Sequence, residues 1–184
     1  MLYTRKGDTG TTKTFGCDQR ISKSSAIAEA LGSLDEINSF LGLCKVKSEQ
    51  DIKYKIEDRK FGEVVHDIQQ TLFIIQAHVA GADKKVPEEK VVAVESLIDT
   101  IEKILPPIKT FFISGGTELA AMFDVARTIA RQAERRVVAV SEEGDRKIDP
   151  ETLKYLNRLS SILYALARLS NHLNGVTEEA PKYQ

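Results

Sequence analysis

Apolar residues return at three- and four-residue steps in five separate stretches of this chain, the periodicity of amphipathic helices. The clearest stretch covers about 59–81, where Phe61, Val64, Val65, Ile68, Leu72, Ile75 and Val79 trace one stripe facing a core. A second, about 25–47, carries Leu31, Leu34, Ile37 and Leu41. The third runs from Pro87, acceptable in a first turn, through Val91, Val94, Ile98 and Ile101 to Leu105, and Pro106-Pro107 stops it. The fourth, about 117–142, follows Gly115-Gly116 with Thr117 as its N-cap. The fifth, about 150–173, has Asp149 at the cap and Pro150 at the first helical position. No stretch alternates convincingly, although KTFFIS (109–114) predicts a short extended piece. Connections are short apart from the charged 48–58 segment. The pattern predicts an all-α protein, a five-helix bundle over about 25–173 within one domain spanning 1–184.

Composition narrows this picture by exclusion. At 184 residues, 42% hydrophobic and 29% charged, the chain is ordinary for one globular domain with a sizeable core. Its net charge of −1, from 26 basic against 27 acidic residues, speaks against nucleic-acid binding. No apolar run is long enough for a membrane span, and MLYTRKGD does not make a signal peptide. Cys17 and Cys44 form neither a CxxC pair nor a metal cluster, so a reducing, cytoplasmic setting is expected. His66, His78 and His172 lie far apart in sequence and read as packing or solvated residues rather than metal ligands.

Two stretches suggest chemistry. Residues 4–16, TRKGDTGTTKTFG, hold three glycines, five threonines, three basic side chains and one apolar residue, Phe15. Such a stretch is either a mobile tail or an anion site. Gly7 and Gly10 permit positive φ and converging N–H groups, and Arg5, Lys6 and Lys13 add charge, which together suit a polyphosphate. It is not a Walker loop, since GxxxxGK[ST] is absent. In RTIARQAERRVV, Arg127, Arg131 and Arg135 share one helix face, with Glu134 beside Arg131. Three cations at this spacing either form a solvated stripe or await an anion that relieves their repulsion. Apolar flanks (Ala126, Ile129, Ala130, Ala133, Val137) and arginine's suitability for phosphate favour the second. Asp35 and Asn38 lie one turn apart on an apolar helix, where a buried carboxylate needs a cation such as Arg127. Asn157, Arg158 and Ser160 fall in the first turns of the fifth helix, where anions are favoured.

TRKGDTGTTKTFG followed by RISK, then LGSLDEINSFLG, FFISGGT, RTIARQAERRVV and YLNRLSSILYALAR, resemble in order and spacing the propanediol-utilisation type of ATP:cob(I)alamin adenosyltransferase. The likeness runs from about residue 4 to about 170. It implies a homotrimeric bundle with active sites between subunits, transferring the 5′-deoxyadenosyl group of ATP to the cobalt of cob(I)alamin and releasing triphosphate. It also implies an N-terminal loop, about 4–23, that wraps triphosphate and Mg²⁺ and takes its order from them. On this likeness Thr4, Arg5, Gly7, Asp8, Gly10, Thr11, Thr12 and Lys23 belong to the nucleotide site. Arg131, Glu134, Arg135 and Asn157 also face ATP. Arg127 pairs with Asp35 beneath the corrin ring, and Phe111 displaces the lower axial ligand of cobalamin. A cobalamin reductase and an adenosylcobalamin-dependent mutase are the implied partners. Gln132, Ser114, Ile27 and Ser161 depart from the family pattern, which carries arginine, proline, arginine and aspartate there. The rival is a non-catalytic trimer that carries or senses nucleotide or cobalamin. Asp35, Phe111 and Arg127 tell against it, because a nucleotide binder has no use for a corrin-face cluster.

Overall fold

The computed structural model describes residues 3–15, 19–144 and 146–183; Gly16 and Cys17 lie outside the described residues. Within them are five helices, α1 (Ala26–Ser48), α2 (Phe61–Ala80), α3 (Glu88–Ile104), α4 (Glu118–Glu142) and α5 (Pro150–His172). Each stands where periodicity placed it, and the capping chemistry explains the boundaries. Ser25 opens α1 by accepting from the Ala28 N–H, and Thr117 opens α4 by accepting from the Ala120 N–H at 3.1 Å. Asp149 opens α5 by accepting from the N–H and the hydroxyl of Thr152. Gly81, at φ 114°, closes α2 in a left-handed conformation that only glycine adopts cheaply.

α4 packs against both α1 and α5, while α2 lies on α1 and α3 on α5. All the stripe residues expected in α2 are buried, as are Leu34, Ile37 and Leu41 of α1. Burying one such side chain contributes about 1.5–3 kcal/mol. Phe61 joins the helical core to the 48–58 segment, its ring 5.6 Å from Tyr54 and 6.2 Å from Phe123.

Two small hairpins are additions to the expected all-α plan. β1 (Thr11–Lys13) pairs antiparallel with β2 (Arg20–Ser22), and β3 (Lys55–Ile56) pairs with β4 (Arg59–Lys60). Strands this short leave no alternating pattern to detect. KTFFIS, by contrast, forms no strand. A single backbone bond, Ile113 N–H to the Glu179 carbonyl at 2.8 Å, ties it to the C-terminal tail. Its end is held more firmly. The side-chain amide of Asn171 donates to the Gly115 carbonyl at 2.8 Å and accepts from the Thr117 N–H at 2.9 Å. Gly116 sits at φ 99°, and a Cβ there would fall 2.4 Å from the Asn171 Oδ1. Among the described residues, no helix is long and apolar enough to cross a membrane.

Two buried groups make stability pH-dependent. Burial pushes the Cys44 thiol up to about 12 and the Tyr155 phenol up to about 12. An unfolded thiol ionises near ~8.5, so the unfolded chain releases protons that the folded chain retains. The stabilisation is complete below that value and is lost as pH rises toward 12. Melting temperature should therefore fall progressively above about pH 9. Cys44→Ala should flatten the first part of that slope, as calorimetry between pH 7 and 11 would register; an unchanged slope would show that the thiol is not the group responsible.

Candidate active site

The arginine face of α4 opens onto two neighbouring cavities. The larger, about 600 Å³, lies between the 108–115 connection, α4, α5 and the C-terminal tail, and its wall includes Phe111, Arg127, Arg131 and Tyr164. The smaller, about 440 Å³, is lined by Arg131, Glu134, Arg135, Val138, Glu142 and Asn157. Arg131 stands on the wall of both. The two groups of residues singled out on α4 and α5 thus fall into adjacent compartments with one shared cation.

The four-residue spacing of the arginines is handled one by one. Arg127 lies with its Nε 3.6 Å from the Asp124 Oδ1 and its guanidinium 5.9 Å from the centre of the Tyr164 ring. That buried Nε has no hydrogen-bond partner among the described residues. Burial also raises the Tyr164 phenol above its ordinary value. Arg135 donates to the Arg131 carbonyl at 3.1 Å. Glu134 accepts from the Asn157 amide at 3.1 Å, and Asn157 in turn accepts from Arg158, which donates to Glu95 at 2.8 Å. This chain fixes the carboxylate and amide lining the smaller cavity. The guanidinium of Arg131 makes no hydrogen bond or ion pair among the described residues, so the shared position holds an uncommitted, exposed cation.

Within one chain Arg127 and Asp35 do not meet. Asp35 is on the exposed face of α1 with no partner among the described residues, and Arg127 turns to Asp124 on its own helix. Asn38 is buried, its Oδ1 unpaired, while its carbonyl accepts from Gln69 at 3.0 Å. Among the departures from the family pattern, Ser161 and Ser114 line the larger cavity, and Ile27 packs against the core.

The N-terminal stretch is neither a tail nor a wall of these cavities. Arg20 fastens it, donating to the hydroxyl and carbonyl of Thr11, both at 2.7 Å, and to the Lys6 carbonyl. The Lys23 N–H donates to the Gly10 carbonyl at 3.0 Å, and Gly10 adopts φ 77°. A Cβ on Gly7 would lie 3.1 Å from the Lys23 Nζ, so a larger residue there would press that amine aside. Thr4, Arg5, Asp8 and Thr12 lie on this loop, and none of the loop residues lines either cavity.

Sequence reading missed Arg168, Asn171 and Glu178, which close the larger cavity. Arg168 did leave a signal: a cation within the run of small and aliphatic residues ILYALARL. A charge on a helix stripe that packs inward demands a partner.

The family model described as cobalamin adenosyltransferase matches residues 2–170. The corrinoid adenosyltransferase PduO of Citrobacter freundii is 38% identical over an alignment of 178 residues that covers 93% of this chain and 50% of that protein. The chain thus spans half the length of that relative. The corrinoid adenosyltransferase of Bacillus subtilis (strain 168) is 34% identical, over 95% of this chain and 89% of that one. Among solved structures, a variant PduO-type ATP:corrinoid adenosyltransferase from Lactobacillus reuteri, complexed with cobalamin and ATP, superposes with a TM-score of 0.90. It is 31% identical and the match covers 99% of this chain and 97% of that one. With the match running through the hairpin and all five helices, the chain belongs to the cobalamin adenosyltransferase family.

Proposed function

We propose that this protein transfers the 5′-deoxyadenosyl group of ATP to the cobalt of cob(I)alamin, with triphosphate as the leaving group. The observation that carries the proposal is the position of Arg131 on the wall of both cavities. A bisubstrate reaction needs two ligands meeting at one point, and the Lactobacillus reuteri relative is complexed with cobalamin and ATP. In this reading the corrin occupies the larger cavity, against Phe111. The phosphates of ATP lie along Arg131 and Arg135, with Glu134 and Asn157 completing the nucleotide side.

The chemistry asks little of the protein as nucleophile. Cobalt(I) contributes the electron pair that forms the cobalt–carbon bond to C5′, and the C5′–O bond breaks with its pair leaving on triphosphate. No activated serine, cysteine or histidine is required. The arginines stabilise the charge that grows on the leaving group, an electrostatic contribution that works best in a fixed site. Among the described residues, no group of three or more His, Cys, Asp or Glu is placed to hold a metal. In this reading Mg²⁺ would travel on the triphosphate, with phosphate and water oxygens as ligands, and would neutralise part of the phosphate charge.

The second half of the proposal is a homotrimer whose sites lie between subunits. It is supported by groups left unused within one chain: the N-terminal hairpin, the exposed Asp35, and the unpaired Nε of Arg127. Leu43 and Val46 of α1 are exposed on the same side as Asp35, an apolar surface suited to a second copy. The hairpin residues Thr4, Arg5, Gly7, Asp8, Gly10, Thr11, Thr12 and Lys23 of one copy would then close over nucleotide on the next. A cobalamin reductase and an adenosylcobalamin-dependent mutase in the cytoplasm complete this reading.

The direct test is to mix protein, ATP and reduced cobalamin without oxygen and follow the corrin spectrum. Appearance of adenosylcobalamin supports the proposal, and an unchanged spectrum overturns it in favour of a carrier. Arg131→Ala should lower kcat/KM by about 10- to 200-fold, the loss of one charge-assisted phosphate contact, without lowering the melting temperature. Unchanged kinetics would return Arg131 to a solvated face.

Light scattering should report three chains per particle, and a fully active monomer would exclude shared sites.

Phe111 is 79% exposed, so it is not a core aromatic whose loss costs about 3–5 kcal/mol. Phe111→Ala should melt like the parent, retain its ATP KM, and fail chiefly when the reaction starts from cob(II)alamin and a weak reductant. Equal activity from cob(II)alamin and cob(I)alamin would remove Phe111 from the mechanism.

A further inference from the structure

Phe111 presents a difficulty if it forms a wall against a corrin. It is exposed, and it lies in a connection without helix or strand between α3 and α4. An apolar side chain on an unsupported segment samples many orientations, whereas a functional wall has to be held by its surroundings.

We infer that Arg168 and Glu178 are a positioning pair that holds the Phe111 segment in place for the cobalt-reduction step, an assignment that rests on the role proposed above for Phe111. Arg168 is 6% exposed on α5. Its Nε donates to both carboxylate oxygens of Glu178 at 3.0 Å, and its Nη2 reaches Glu178 Oε2 at 2.9 Å. The same Nη2 donates to the Pro106 carbonyl at 3.0 Å, where the connection leaves α3. The guanidinium lies 5.2 Å from the centre of the Phe112 ring. Arg168 therefore grips the connection at Pro106 and again at the residue next to Phe111. The tail that carries Glu178 adds the bond from Ile113 N–H to the Glu179 carbonyl. Phe112 and Ile113 are held, and Phe111, directly before them, lines the cavity.

Glu178 is the element on which this depends. A buried guanidinium without its carboxylate is an uncompensated charge and would turn toward water. In doing so it would release the Pro106 carbonyl and the face of Phe112 together. The fold would remain, because α5 and α3 pack through other side chains, but Phe111 would lose its fixed orientation.

The test compares Glu178→Ala and Glu178→Gln with the parent and with Phe111→Ala. Two rates are measured: one from supplied cob(I)alamin, the other from cob(II)alamin with a dihydroflavin as one-electron donor. The population of four-coordinate cobalt(II) is read by electron paramagnetic resonance with ATP bound, and folding by thermal melting. A misplacement of about 1 Å can cost about 100-fold, so Glu178→Ala should lower the cob(II)alamin rate by roughly 10- to 100-fold. The four-coordinate signal should fall in step, the cob(I)alamin rate should fall by a distinctly smaller factor, and the ATP KM should hold. Glu178→Gln keeps the shape without the charge and should show the same split if Glu178→Ala does not fold. Equal losses on both routes, tracking the folded fraction, would reduce the pair to packing and overturn the inference. So would a full four-coordinate signal in both variants. If Phe111→Ala splits the two routes and the Glu178 variants do not, the positioning pair alone is wrong. If Phe111→Ala shows no split, the role of Phe111 fails, and this inference with it.

Discussion

Ala126 and Ala130 of α4 are each followed by an arginine, and that one-residue offset governs the whole arrangement. Successive residues of a helix point about 100° apart, so the face next to the buried one is determined by its phase. Ala126, Ala130, Ala133 and Val137 are completely buried and let α1 and α5 pack on either side of α4. Arg127, Arg131 and Arg135 are then carried to the cavity side by the same geometry. Core and site share one helix, and a shift of its register would move both. Among the described residues the cations tolerate this spacing because Arg127 has an ion pair with Asp124 and Arg135 donates to the Arg131 carbonyl, which leaves the middle guanidinium uncommitted.

The helices were legible in the sequence because burial imposes a period and capping imposes punctuation. Thr117 and Asp149 mark boundaries through local bonds that need no tertiary knowledge, and Ser25 and Gly81, which the pattern alone did not single out, do the same in the structure. The face shared by Arg127, Arg131 and Arg135 was legible for the same reason, since spacing alone puts them on one side of α4, whereas the nucleotide-facing role of Asn157 on α5 came from the resemblance. What was hidden depends on partners distant in sequence. Glu178 has no meaning until Arg168 is beside it, and Asn171 has none until Gly115 and Thr117 fold onto it. The strands were hidden by brevity. Asp35 illustrates a different limit: whether a carboxylate one residue from the core stripe is buried is settled by the helix phase, which here leaves it exposed.

Some of the exposed apolar residues fall together. Phe111, Ile108 and Ile113 are exposed on one connection, and Leu43 and Val46 on one helix face. Single exposed apolar residues are ordinary, but clusters beside a charged cavity mark surfaces made to be covered. A corrin over the first cluster and a second copy of the chain over the other would account for both.

Arg131 also has a thermodynamic meaning. A side chain that faces two ligands cannot respond to one without changing what it offers the other. If it turns toward triphosphate, the neighbouring compartment loses a cation; if it is held still by both, each ligand finds it already ordered. In either case the coupling is reciprocal, so the factor by which ATP alters the affinity for cobalamin equals the factor by which cobalamin alters the affinity for ATP. On the proposed reading, one guanidinium makes the two substrates effectors of each other.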